Sequence, residues 1–283
     1  MTTNEAVKEE VEATPTESKP SKEVATKSNT ALATASLFEE DAGSGLENVT
    51  SEDITIPRLK ILQAMSPEVN KKDGKYIEGA VAGDITNTVT KEIFREDVGC
   101  FVLPVSYRRM FLEWQPRETG GGLVTQHFDP EILRQTKKDR DGRDVLDNGN
   151  YIQTSATHYC LVLDGDSFQQ VMIPMAGTQL KKSRTWNAVM ASLKVKKADG
   201  GVFTPPTYSH KYKLTTVQES NDRGTWFGWN VDMVGPVTEE ETDDRRTRPG
   251  GYHPDMYLAA KQFSQTIGSE NVVMATSNDE APF

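Results

Sequence analysis

The chain reads as mainly β with α, a small five-stranded Greek-key barrel that carries two helices and is flanked by two tails. Three observations predict it. Apolar and β-branched runs recur from residue 99 onward and are separated by Gly, Asn and Asp clusters. The apolar period changes from two to a helical spacing only near residues 178–193 and 254–267. The first 52 residues hold eleven acids, four lysines and one aromatic, Phe38, too little apolar surface to offset the entropy of ordering a chain.

Taken in order, residues 1–52 are predicted to be a disordered acidic segment, with a short helix around 33–40 as its one candidate element. Order begins near residue 53, where the alternation of residues 54–62 suits a strand or an extended leading segment. Residues 99–107 and 110–115 read as two strands flanking a turn or bend. Residues 117–151 carry loop signals: Gly120-Gly121-Gly122, a charged run with a hairpin tip at Asp141-Gly142, and a second turn at Asn148-Gly149. Residues 157–163 and 168–175 form a hairpin around Asp164-Gly165-Asp166. Thr178 is placed to cap a helix carrying Leu180, Trp186, Val189, Met190 and Leu193, which Gly200-Gly201 and Pro205-Pro206 end. Two long strands follow, 208–218 and 225–234, joined by a turn at 221–224. The amphipathic helix of residues 254–267 buries Met256, Ala259, Ala260, Phe263 and Ile267. A barrel with its helix between strands 3 and 4 is the OB-fold pattern. The domain is therefore expected over residues 53–270, with an acidic interaction tail over 271–283.

With 283 residues there is room for one domain of about 200 residues plus tails. The mean hydropathy is −0.58. No apolar run approaches the roughly 18 residues of a membrane span, and no signal-peptide pattern opens the chain. No membrane association is expected. Cys100 and Cys160 lie far apart inside apolar runs, which suits buried free thiols in a reducing cytoplasm rather than a disulfide or zinc site.

The net charge of −10 conceals a partition. The acids crowd the tails, whereas residues 178–213 hold eight cations (Lys181, Lys182, Arg184, Lys194, Lys196, Lys197, Lys211 and Lys213) against Asp199 alone. Lys181, Lys182 and Arg184 fall near a helix start, where cations oppose the helix dipole. Against a phosphate backbone they would release counterions. The competing reading is a solvated helix face with Trp186 in the core. Aromatics interleave with cations at Tyr107-Arg108-Arg109-Met110-Phe111, at Trp114 to Arg117, at Tyr208 to Lys213, and around Trp226 and Trp229. On a regular strand Tyr208, His210 and Tyr212 share one face and Lys211 and Lys213 the other. Each aromatic can belong to the core or stack a base, and stacking is worth about 1–3 kcal/mol per base.

Catalytic patterns are poor. His127 and His253 lack zinc-helix spacing, Asp164 and Asp166 suit a turn, and Gly120 to Gly122 lacks the Lys-Ser/Thr of a phosphate loop. A non-enzymatic protein with no cofactor and no metal is expected.

The chain ends Ser277-Asn278-Asp279-Glu280-Ala281-Pro282-Phe283, a short acidic run closing on Phe. Such a peptide can dock by placing Phe283 in an apolar pocket and its carboxylates against basic residues. It is similar to the acidic Pro-Phe ends of bacterial single-stranded DNA-binding proteins. Ile56-Pro57-Arg58-Leu59-Lys60-Ile61-Leu62-Gln63, Ser66-Pro67-Glu68-Val69, Glu78-Gly79 and Gly83-Asp84-Ile85-Thr86-Asn87 resemble phage-encoded single-stranded DNA-binding proteins. So do Glu113-Trp114 with Arg117 and the Gly120 triplet, and the segment 177–187.

The resemblance implies an OB-fold protein of the host cytoplasm that coats single-stranded DNA in phage replication, recombination or repair. Phosphates would meet Lys181, Lys182, Arg184, Lys211 and Lys213, with Arg108 and Arg109. Bases would stack on some of Tyr107, Trp114, Tyr208, Tyr212, Trp226 and Trp229. Asp279, Glu280, Pro282 and Phe283 would recruit a polymerase, helicase or nuclease, and a homo-oligomer is an open expectation. The rival readings are a scaffold of a phage replication complex without DNA binding, and a metal-dependent nuclease using Asp164 or Asp166.

Overall fold

The computed structural model describes residues 41–42, 44–49, 55–164, 167–222, 224–237 and 254–269. The chain divides into two units, Met1–Ile54 and Thr55–Phe283. The described residues of the first unit form short turns, with Ser44 N–H donating to Asp41 and Val49 N–H to Leu46. The expected helix at 33–40 and the acidic tail, including Asp279, Glu280, Pro282 and Phe283, lie outside the described residues.

The second unit is mainly β. It begins with a small antiparallel sheet of β1 (Leu59–Ile61), β2 (Ile85–Asn87) and β3 (Ile93–Phe94). The main sheet is a curled antiparallel half-barrel built on β4 (Cys100–Trp114) and β8 (Tyr151–Asp164), which pair along most of their length. β9 (Ser167–Ala176) lies on the other edge of β8, while β12 (His210–Asn221) joins the start of β4 and β13 (Gly224–Pro236) joins β12. The long strands therefore run β9-β8-β4-β12-β13 across the sheet. Three short strands extend its far end: β5 (Leu123–His127) on β4, and β6 (Lys137–Lys138) with β7 (Asp144–Val145) beside β8. Helix α1 (Leu180–Ser192) and a hairpin of β10 (Val195–Lys196) and β11 (Val202–Phe203) connect β9 to β12. Helix α2 (Pro254–Ser269) follows β13 in sequence.

Both faces of the sheet are covered, and this decides which residues can reach a ligand. On one face Val102, Cys160, Ile173 and Leu214 pack with Trp186 and Met190 of α1 and with Leu59, Ile61 and Ile85 of the small sheet. On the other, Leu103, Met110, Leu112, Leu161 and Met172 pack with Met256, Ala260, Phe263 and Ile267 of α2. Those four positions form one stripe of a helix at spacings of four, three and four residues.

The leading segment ties the two ends of the sheet together. Met172 N–H of β9 donates to Pro57 O at 2.8 Å. Five residues on from Arg58, the Gln63 amide pairs with the β13 backbone in both directions, donating to Phe227 O and accepting from Phe227 N–H, each at 2.9 Å. A side-chain amide thus takes the place of a neighbouring strand.

Several local expectations are corrected. The bend expected between residues 107 and 110 is absent, and β4 runs through as one strand of 15 residues. Its irregularity falls instead at Pro104/Ser106, where Pro104 has no N–H for the ladder and the register shifts. Thr178 does not cap α1. A 3-10 turn at Gly177–Gln179 moves the cap position to Gln179, whose amide is spent on Trp229 N–H and Glu219. The helix ends at Ser192, not near Gly200, because the intervening residues form the β10–β11 hairpin. Tyr208 sits in a 3-10 turn before β12, and the register shifts between Lys211 and Tyr212, so the expected alternation through 208–213 fails.

Cys100 and Cys160 are free and buried. Burial pushes the Cys100 thiol up to about 12 and Cys160 well above its ordinary value, so both stay protonated.

Candidate nucleic-acid interface

The site is organised by α1, which an aromatic ladder fastens to the sheet. Tyr107 of β4 lies 5.1 Å from His158 of β8, His158 stacks on Trp186 at 4.3 Å, and Trp186 meets Tyr212 of β12 edge-on at 5.5 Å. His158 is fully buried, its Nε2 is 2.8 Å from Ser183 Oγ of α1, and burial pushes its pKa down to about 3. It is a neutral ring holding the helix. A lone His in the middle of an apolar run was the only sign of it in sequence, and nothing there showed its partners.

Held this way, the first turns of α1 point cations to its two sides. The first turn has no acid, so Lys181 and Lys182 sit against an uncompensated dipole. On one side, between α1 and the β12–β13 hairpin, is a groove of about 1010 Å³ lined by Lys181, Lys182, Thr185, Glu219, Trp226 and Asp232, among others. Glu219 dominates it. The carboxylate receives Lys182 Nζ at 3.1 Å, Trp226 Nε1–H at 3.0 Å and Gln179 Nε2–H at 3.1 Å. Burial raises its pKa, but those three donors outweigh burial and hold the carboxyl below its usual range. The Lys182 cation is therefore already neutralised and Trp226 is clamped by its N–H, while Asp232 adds a second carboxylate to the groove lining.

On the other side is a groove of about 320 Å³. Its floor is Tyr107, Arg109 and Phe111 of β4 with Thr154 and Ala156 of β8; its walls are Leu180, Ser183 and Arg184 of α1 and Pro130 and Leu133 of a 3-10 turn. Among the described residues no carboxylate lines it. Arg109 and Arg184 are exposed, and among the described residues neither has an ion pair. Strand alternation explains the arrangement: 107, 109 and 111 face α1, whereas 108, 110, 112 and 114 face α2.

The expected site residues thus separate into groups. Arg109, Arg184 and Tyr107 are brought together in the second groove, and Lys181, Lys182 and Trp226 in the first. Arg108 goes to the α2 side, where its guanidinium donates to Ile267 O at 2.6 Å and lies over Phe128. Lys213 lies over Phe101, which packs against the α2-side core. Tyr208 packs edge-on against Tyr257 of α2. Trp114, Tyr212 and Trp229 are 4%, 1% and 3% exposed, and Lys211 is 5% exposed. These four are corrected from ligand contacts to interior residues, since no base or phosphate reaches them without unpacking the core. Phe111 lies under this groove but is 2% exposed, so it too is an interior residue and Tyr107 is the groove's accessible ring.

At the far end of the sheet Glu113 accepts from Asn150 Nδ2 at 2.6 Å and lies 2.8 Å from His127 Nε2. Burial raises its pKa, but bonds from Asn150, His127 and Asn148 outweigh this and hold it low. His127 is thus not isolated, though its partners make a structural knot. Among the described residues no group of three or more His, Cys, Asp or Glu could hold a metal ion, and no helix is long and apolar enough to cross a membrane. Asp166 and the Asp164 side chain lie outside the described residues.

The fold and site define a mainly β half-barrel protein with an arginine-flanked groove beside α1 that, among the described residues, no carboxylate lines. The chain belongs to the family described as Pam3 phage gp34-like protein, whose sequence model matches residues 26–273, and it is accordingly a phage protein. No curated protein and no solved structure matches it.

Proposed function

We propose that this phage protein binds single-stranded DNA with little sequence preference, protecting it in the host cytoplasm during phage replication or recombination. The observation that carries the reading is the pair Arg109 and Arg184, exposed and, among the described residues, without ion pairs, beside the half-buried ring of Tyr107. Cations that track a backbone beside aromatic faces are what sequence-tolerant single-strand binding requires. The groove between α1 and the β12–β13 hairpin suits this less well, because Glu219 pairs with Lys182 and a second carboxylate, Asp232, lines it.

The strand order supports an OB-type barrel: β9-β8-β4-β12-β13, with the helix between the third and fourth long strands, follows that Greek key. Among the described residues no ladder joins β9 to β13, and the leading segment spans that gap. The tail ending in Phe283 recruits a replication protein.

The test is fluorescence anisotropy of labelled oligo-dT against duplex of equal length, at low and high salt. Preference for the single strand, with affinity falling at about −0.7 in log–log slope per phosphate neutralised, supports the reading. Absence of binding at low salt, or equal binding of duplex, refutes it.

A further inference from the structure

The β10–β11 hairpin is an arm with no core of its own. Val195 pairs with Phe203 and Lys196 with Val202, and the turn closes by Lys197 N–H to Gly201 O at 2.7 Å. Every residue from 194 to 204 is exposed, including Val195 at 37%, Val202 at 61% and Phe203 at 40%. A lone two-stranded hairpin is marginal in water. Here it also holds three large apolar side chains in solvent, interleaved with Lys194, Lys196 and Lys197 against the single acid Asp199. Among the described residues neither Lys196 nor Lys197 has an ion pair.

The arm is contiguous with the Arg109–Arg184 groove. Along the same flank of α1, Tyr107 also lines a pocket of about 170 Å³ together with Asn187 of the helix and Thr204 at the end of the arm. Lys194 Nζ donates to that Thr204 hydroxyl at 2.6 Å. Cationic groove, aromatic step, pocket and cationic arm thus form one track from Arg109 to Phe203.

We propose that the β10–β11 arm is a second nucleic-acid contact, in which Phe203 stacks a base and Lys196 and Lys197 neutralise phosphates of the strand leaving the groove. This rests on the single-strand reading above. A polyanion with flat apolar bases is the occupant whose chemistry matches both halves of the arm, its excess of cations and its unburied aromatic. Because Lys196, Lys197 and Phe203 are exposed and lie outside both core clusters, changing them leaves the fold standing.

The experiment uses the full chain and labelled oligo-dT over a salt series, with the double variant Lys196→Ala/Lys197→Ala and, separately, Phe203→Ala. An unchanged melting temperature verifies folding. The expected result is a slope shallower by about 1.4 for the lysine variant, two phosphates at about 0.7 each. Phe203→Ala weakens binding about 5-fold or more, the lower bound for loss of one base stack. Both variants binding like the unaltered protein, while Arg109→Ala/Arg184→Ala weakens it, overturns the arm and spares the groove. Failure of the unaltered protein to bind oligo-dT removes the single-strand reading and the arm with it. Unchanged DNA binding with a smaller sedimenting species would overturn the proposal by making the arm a contact between copies of the chain.

Discussion

Replacing Arg109 and Arg184 together by alanine removes two exposed cations and nothing that packs. Among the described residues neither guanidinium has an ion pair and no carboxylate lines their groove, so no counter-charge among them is left behind. If each meets one phosphate, the salt slope of binding becomes shallower by about 1.4. At about 0.1 M salt that corresponds to about 25-fold weaker binding, shrinking to about 3-fold near 0.5 M. The convergence at high salt matters more than the size of the defect, since it separates lost counterion release from lost packing. Anisotropy of labelled oligo-dT across a salt series measures it. Arg108→Ala is the control, one residue away on the opposite face. It loses the bond to Ile267 O at the end of α2, so the melting temperature should fall while the slope stays unchanged. A double variant that binds normally, or whose defect is the same at every salt concentration, would refute the assignment of phosphate contacts to this groove.

Three further outcomes are expected. Glu113 and Glu219 are held below their ordinary value of 4.5, so their contribution to stability is full above that value and is lost as pH falls through the lowered pKa. Urea unfolding of the unaltered protein should weaken from about pH 5 downward, and Glu113→Gln should flatten part of that dependence; an equally steep profile in the variant would contradict it. Gly99 has φ of +64°, and a Cβ there would overlap the Leu214 carbonyl where β12 pairs with β4. Gly99→Ala should therefore cost at least about 2 kcal/mol in the same assay, and a neutral result would mean the strand junction relaxes freely. Deleting residues 277–283 should leave oligo-dT binding intact or tighter while abolishing capture of a replication protein, and loss of DNA binding on deletion would sink the docking role of Phe283.

What local sequence specifies is visible in the strands and helices. The stripe Met256, Ala260, Phe263 and Ile267 is legible because a helix needs only a spacing rule. The hairpin of β8 and β9, the helix after it, and the paired strands β12 and β13 are likewise set by alternation and turn residues close in sequence. The partition of charge into acidic flanks and a basic central segment needs no structure at all. Helix ends and strand irregularities were less legible. Gln179 displaces Thr178 as the cap residue because its amide is claimed by Glu219 and Trp229, 40 and 50 residues away.

Which aromatics and cations are free to meet a ligand could not be read locally, for one physical reason. Alternation marks a solvent face only when one side of a sheet is wet. Here α1 covers one face and α2 the other, so neither parity of residues is polar throughout. Tyr107 and Arg109 border a groove, while Trp114, Tyr212 and Trp229, equally plausible in sequence, are interior. Lys182, indistinguishable from Lys181 by composition, is taken by Glu219 on a strand that only the folded chain brings beside it. Periodicity and charge along the chain are local and set the elements; exposure and pairing depend on what packs over each residue, and that is settled only when distant segments meet.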